Sequence, residues 1–177
     1  EGVLVYEKDG KMQVYRTPKA EKMTVSIEVE DQAWLALSGL ETHARAAVEA
    51  ALAGTDTDNE DCDVAVLFTG DDAIAAINAE WRGQGKPTNV LSFPTPADMP
   101  VPQGEARPLG DIVLAHGVIA REAIEQGKTL RDHTVHLIVH GTLHLLGFDH
   151  ETDDDAQEME ALEASILKGL GISDPYE

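Results

Sequence analysis

The chain predicts a single α+β layer domain, a sheet packed against helices, with the helices gathered late in the sequence. Two patterns carry the prediction. Short runs alternate apolar and polar residues at period two, and longer runs between and after them repeat apolar residues at helical spacing. A length of 177 residues suits one domain, long enough to bury roughly 70% of its unfolded surface.

The elements follow in order. Val3–Tyr6 and Met12–Tyr15 flank Asp9-Gly10, a hairpin-turn signal. Val25, Ile27 and Val29 alternate with polar residues and give a first strand. Trp34, Leu37, Leu40, Ala44, Val48 and Leu52 then recur as one face of a helix. Residues 54–61 read as an acidic loop, 63–69 as a strand and 71–81 as a helix. A turn-rich connector, 83–88, leads into a strand over 89–93. The proline-rich run 94–108 lacks periodicity and reads as a surface loop over the sheet edge. A strand over 109–115 precedes helices at 118–126, 130–146 and 154–170. Thr152 and its acidic neighbours suit the start of the last helix. No internal repeat or low-complexity tract is present.

Cys62 is the sole cysteine, so no intrachain disulfide can form, and a reducing, cytoplasmic setting is expected. No apolar run approaches 18 residues and no signal-peptide core opens the chain, so no membrane role is expected. The net charge of −20 weighs against a broad nucleic-acid surface, because such affinity rests on Lys and Arg neutralising phosphates. From Met23 onward only Arg45, Arg82, Lys86, Arg107, Arg121, Lys128, Arg131 and Lys168 are basic. A nucleic acid, if bound, meets a small local cluster or is presented by a partner.

The segment His140-Gly-Thr-Leu-His144-Leu-Leu-Gly-Phe-Asp-His150 is the chemically richest. His140 and His144 lie four residues apart, one turn above the other on a helix face. Ten residues of straight helix would carry His150 about 15 Å away, against a metal–nitrogen bond of about 2 Å. Gly147 provides the exit: glycine past a helix end takes the left-handed backbone cheaply, and Phe148-Asp149 then turn His150 back. Three imidazoles so arranged suit zinc with an open fourth position. His136 shares the face, but eight residues separate it from His144, about 12 Å along the axis. It reads as a core residue or one behind the ligands.

The spacing H-x3-H-x5-H resembles that of metzincin zinc peptidases, whose motif sets a glutamate after the first histidine as general base. Here that position is Gly141. The metal geometry survives without the peptidase base.

Two further stretches join this one. Asn78-Ala-Glu-Trp-Arg82-Gly-Gln-Gly-Lys86-Pro-Thr-Asn-Val-Leu-Ser-Phe93 is similar to an N-x-x-x-R-x-x-x-x-P-T-D/N-V-L-S-F block, and Leu109-Gly-Asp-Ile112 to a short L-G-D-I strand. With H-G-x-L-H-L-x-G-x-D-H, these three motifs in this order resemble the YbeY family of bacterial endoribonucleases, the ribosomal RNA maturation factors. The resemblance covers about Met23 to the C-terminus. It implies a zincin-like fold, a mixed sheet with the metal-binding helix packed beneath it. Residues 23–177 would form the endoribonuclease domain, and 1–22 a natural extension, a tag or a misread start.

The resemblance also implies one zinc ion and a single-stranded rRNA substrate, in 16S rRNA 3′-end maturation and ribosome quality control. The small ribosomal subunit and its assembly factors would be partners, and DNA would not. His140, His144 and His150 would hold the metal, and His140 counts with Arg82 as catalytic. Zinc would polarise a phosphoryl oxygen and lower the pKa of a bound water. Arg82 matches the family's catalytic arginine, and its planar fork suits a phosphate.

Lys86 adds a phosphate contact or is a solvated loop lysine. Thr88, Asn89 and Ser92 bond RNA, hold the Arg82 loop, or serve turn and strand alone. Asp111, a carboxylate in a strand, is expected to orient a ligand histidine. Asp149 is expected to support the turn between ligands rather than bind metal, and His116 to cap a helix or lie at the surface. No residue stands out as general base, and attack by water and by the RNA's own 2′-hydroxyl both stay open. The competing readings are a zinc peptidase, disfavoured by Gly141, and a ribosome-assembly module with a structural metal, which would need a fourth ligand such as Asp149 or Asp111.

Overall fold

A computed structural model of the chain describes residues 3–8, 11–16, 23–57, 61–96 and 98–176. The strands β1 (Val3–Lys8) and β2 (Lys11–Arg16) form an antiparallel two-stranded sheet of their own. The Asp9-Gly10 turn expected between them lies outside the described residues.

The central sheet contains β3 (Met23–Val29), β4 (Cys62–Thr69), β5 (Val90–Pro94) and β6 (Arg107–Ala115) in the order β3-β4-β6-β5. The β3/β4 and β4/β6 pairs are parallel and β5/β6 is antiparallel, so the sheet is mixed. β6 starts two residues earlier than its apolar run suggests. Pro108 sits opposite Asp63 there, just before a register shift, and a strand's end or a bulge is where proline is tolerated.

Five helices complete the described residues: α1 (Leu40–Gly54), α2 (Asp71–Arg82), α3 (His116–Glu125), α4 (Leu130–Leu145) and α5 (Asp153–Gly169). The apolar run from Trp34 to Leu52 is not one helix. Trp34 lies in a separate 3-10 turn, Gln32–Ala36, and Gly39 takes left-handed backbone before α1 begins. Trp34 is fully buried, its indole N–H donating to the Thr69 carbonyl at 2.9 Å. The tertiary bond and the glycine break override a spacing that local pattern cannot distinguish from a continuous helix.

Side chains alternate across a strand, and β6 shows what each sheet face meets. Ile112 and Leu114 join the main core with α1, α4 and α5, including Val48, Leu52, Ile138, Leu143 and Leu167. Val113 and Ala115 face the other way, into a smaller cluster with Leu91 and Ile74 of α2. The helix α4 is therefore enclosed between the sheet and its helical neighbours, and its residues 133–139 are all buried. An apolar-all-round helix is what such a position requires, and it explains why polar ring atoms on α4 must find partners inside the protein.

On the α2 face an open, mainly apolar groove of about 730 Å3 runs past Trp81, Phe93, Leu67 and Asp111. It contains no histidine. No helix is long and apolar enough to cross a membrane among the described residues.

Candidate metal centre

The C-terminal turn of α4 determines where the imidazoles go. After Leu146 the chain passes through Gly147 at φ +98°. The Phe148 N–H donates back to the Leu143 carbonyl and the Gly147 N–H to that of His144, both at 3.1 Å. This double closure is the Schellman pattern, which needs a residue at ease in left-handed backbone. Phe148 tucks against the main core, and the Asp149 carboxylate accepts the Glu151 N–H at 3.2 Å, which fixes the turn that returns His150.

The result is convergence. The Nε2 atoms of His140 and His144 lie 3.0 Å apart, and one ring nitrogen from each of His140, His144 and His150 falls within 4.8 Å of the others. The rings of His150 stand 5.9 Å from His140 and 5.2 Å from His144. His140 and His144 are half-buried and His150 is exposed, so the trio sits at the floor of an open cleft of about 400 Å3. Burial first, then the neighbouring His140 and His150, pull the His144 pKa from 6.5 down to about 4. It is therefore neutral near pH 7, with a lone pair to offer. Three imidazole nitrogens around one point, open on the cleft side, fit a divalent transition metal such as zinc.

The sequence did not single out the residue that stands behind His140. Glu163 of α5 is fully buried. One of its oxygens lies 2.5 Å from His140 Nδ1, the other 3.0 Å from His136 Nε2, and the Tyr176 hydroxyl donates to the second as well. Burial alone would raise this carboxyl, but the hydrogen bonds from His136, His140 and Tyr176 hold it at about 2. Burial and the adjacent carboxylate push the Tyr176 hydroxyl up. The only sequence signal for Glu163 is its place on the buried stripe of α5, among Met159, Ile166 and Leu167.

The remaining expected residues divide. Arg82, Asn89, Ser92 and Asp149 line the cleft with the histidines. Arg82 is the last residue of α2, and the buried Asn78 donates to the Lys86 carbonyl at 3.0 Å, tying down the loop that follows. Among the described residues no carboxylate forms an ion pair with Arg82. Asn89 is committed to structure: its amide N–H donates to Glu122 at 3.0 Å and its oxygen accepts the Val90 N–H. Glu122 also meets the buried His133 at 3.0 Å. Ser92 Oγ donates to the Gly141 carbonyl at 3.3 Å. Lys86 is exposed and does not line the cleft.

Asp111 requires correction. It is exposed and lines the groove on the α2 face, while its neighbour Ile112 faces α4. The alternation along β6 sends its carboxylate away from the histidines, so it orients none of them. His136 meets Glu163 at 3.0 Å, on the carboxylate that also meets His140. His116 begins α3 with its ring edge-on to Trp34 at 5.1 Å.

Gly141 is fixed by space. A Cβ there would lie 3.0 Å from Ile112 Cγ2 and 3.1 Å from Ser92 Oγ, because α4 presses directly on β5 and β6. The position where a peptidase would carry its glutamate faces the sheet, and a side chain there would have to displace Ile112 and Ser92 by a few tenths of an ångström.

A pH dependence follows from His144. Its folded pKa lies below the unfolded value, so between about pH 6.5 and 4 the unfolded chain takes up a proton that the folded, metal-free chain refuses. Stability then rises with pH across that window and falls on acidification. Glu163 adds a loss at lower pH, from about 4.5 down through about 2. We expect the melting temperature of metal-free protein to fall between pH 6.5 and 4, and His144→Gln to flatten that slope. Parallel slopes for the two proteins would refute it.

The comparisons with known proteins point one way. A family model described as Endoribonuclease YbeY matches residues 26–171. An Azorhizobium caulinodans protein named Endoribonuclease YbeY is 49% identical over 158 residues, covering 87% of this chain and 96% of its own length. One of the same name from Dinoroseobacter shibae is 50% identical over 167 residues, covering 88% and 92%. The solution structure of a Thermotoga maritima protein aligns with a TM-score of 0.55 at 24% identity, over 82% of this chain and 87% of that one, a likeness of fold.

Proposed function

The chain belongs to the Endoribonuclease YbeY family, and from that premise we propose that it cuts single-stranded ribosomal RNA with a metal held by His140, His144 and His150. Residues 23–177 carry the activity on a scaffold we read as zincin-like. The observation that carries the proposal is the convergence of three imidazoles on a cleft whose rim carries Arg82. Bound there, zinc would supply Lewis acidity toward a phosphoryl oxygen and activate water.

The chain's own groups do the rest. Arg82 lines the cleft with no carboxylate partner among the described residues, so its guanidinium is available to meet the charge that grows on a phosphodiester's non-bridging oxygens. Ser92, at the cleft wall, gives the substrate a polar edge to lie against. Lys86 offers a further positive charge on the loop beyond Arg82. With so few cations, affinity for free RNA is low and falls gently with salt, by roughly 0.7 log units per tenfold salt for each phosphate neutralised. An acidic protein of this kind gains its substrate through a partner, which we read as the small ribosomal subunit and its assembly factors, in the cytoplasm. Maturation of the 16S rRNA 3′ end and ribosome quality control are the corresponding roles.

The peptidase reading loses support from Gly141, and the structural-metal reading from the cleft, which leaves the histidine cluster open on one side.

The test is cleavage of a single-stranded rRNA fragment by zinc-loaded protein. Arg82→Ala should cut about 100-fold more slowly, the usual cost of losing one transition-state donor, with metal content unchanged. Arg82→Lys should recover part of the rate, since it keeps charge and loses the fork. If Arg82→Ala cuts at the parental rate, the role given to Arg82 is wrong.

A further inference from the structure

We propose that Glu163 and Tyr176 form a positioning relay behind the metal site. In it Glu163 aims His140 and Tyr176, in the segment after α5, holds Glu163 in place. The proposal rests on the reading of His140 as a metal ligand.

The first observation is where Glu163 stands. It occupies the buried face of α5, in line with Met159, Ile166 and Leu167, and is fully enclosed. An apolar residue would serve packing better at such a position, because a buried carboxylate must recover its lost hydration through hydrogen bonds. No lysine or arginine pairs with Glu163 among the described residues. Its partners are His140 Nδ1 at 2.5 Å, His136 Nε2 at 3.0 Å and the Tyr176 hydroxyl.

The second observation is what that set of partners does to His140. A carboxylate can only accept here, so Nδ1 of His140 carries a proton, and in the neutral ring that leaves the lone pair on Nε2. That same Nε2 faces His144 Nε2 at 3.0 Å and the cleft. Glu163 thus selects both the tautomer and the ring orientation that put a donor on the metal point. A ligand histidine whose other nitrogen is held in this way binds metal more tightly.

The third observation extends the relay to the tail. The chain turns back at the end of α5, where the Ile172 N–H donates to the Leu167 carbonyl at 2.9 Å. The Asp174 carboxylate accepts the Tyr176 N–H at 2.8 Å. These closures bring the Tyr176 ring edge-on to His136 at 5.9 Å, and its hydroxyl onto the same Glu163 oxygen that His136 holds. His136 and Tyr176 together pin one oxygen, which fixes the direction of the other toward His140. Tyr176 is 47% exposed, so packing alone does not demand a tyrosine there. The segment 170–176 therefore contributes to the metal site without touching it.

The experiment uses full-length protein, cobalt(II) as the probe and three readouts: affinity by chelator competition, the visible cobalt spectrum, and the His140 tautomer in metal-free protein by nitrogen-15 NMR. The relay predicts a protonated Nδ1 on His140 in the parent. Glu163→Gln should weaken cobalt binding by about 10- to 100-fold and alter the spectrum. Tyr176→Phe, which keeps the ring and removes only the hydroxyl that donates to Glu163, should weaken binding by a smaller but measurable factor. A parent His140 protonated on Nε2 overturns the relay even if Glu163→Gln fails to fold. So does parental cobalt affinity and spectrum in both variants. If the parent binds no cobalt, the metal reading itself falls and the relay with it.

Discussion

Replacing His144 with alanine is expected to leave a folded protein that neither holds a metal nor cuts RNA. His144 supplies the donor nearest to His140, 3.0 Å from its Nε2. Without it, the remaining pair comes from two different segments, α4 and the turn after it, with ring centroids 5.9 Å apart. Loss of a partner behind a ligand already costs about 10- to 100-fold in affinity or activity, so loss of a ligand should exceed about 100-fold in both. The fold should tolerate the change. His144 is only half-buried at the cleft floor, so truncating it opens no sealed cavity. Metal content by elemental analysis, read beside cleavage of a single-stranded rRNA fragment, checks both halves. Equimolar metal and undiminished cleavage in His144→Ala would remove the three-histidine centre from consideration. Metal retained with cleavage lost would instead give His144 a role in the reaction outside the ligand set.

The contrast between His144 and two carboxylates shows which parts of such a site a sequence can disclose. The histidine cluster depends on short-range geometry: helical periodicity stacks His140 over His144, and one left-handed glycine returns His150. Both rules act within eleven residues, and the structure brings the three rings together as those rules require. Asp111 and Glu163 depend on long-range geometry. Asp111 is a carboxylate in a strand, and whether it meets α4 turns on the strand's parity. That parity is reset by the irregularity at the start of β6, where Asp63 pairs with Pro108 but Val64 pairs with Gly110. Glu163 is one acid among many in α5, which opens on Asp153, Asp154 and Asp155. Only the packing of α5 on α4 shows that this one is enclosed and directed at His140. The apolar run from Trp34 to Leu52 misleads for the same reason, since a single glycine and one indole hydrogen bond divide it.

The same irregularity in β6 gives the largest stability prediction. Gly110 has φ +141° and lies where β5, β6 and the end of α4 meet. A Cβ on it would fall 2.2 Å from the Phe93 carbonyl oxygen, 2.8 Å from Leu145 Cδ2 and 3.0 Å from Pro94 Cα. Two of these neighbours are backbone and cannot rotate away. Gly110→Ala therefore incurs a conformational cost of about 1–3 kcal/mol for a backbone region nearly closed to other residues. Overpacking adds about 1–3 kcal/mol. For a chain of this size, each kcal/mol lowers the melting temperature by about 2–4 °C, so a fall of about 10 °C is expected. Relief by local refolding is closed off, because removing the irregularity would slip the register and turn Ile112 and Leu114 out of the main core. Gly104→Ala serves as the control: it too has positive φ, +85°, but nothing lies within 4 Å of its added Cβ. It should lose only the conformational part. If the two variants melt together, contact with β5 is not what Gly110 provides. If Gly110→Ala alone collapses, the strand that positions Ser92 against Gly141 depends on a residue with no side chain at all.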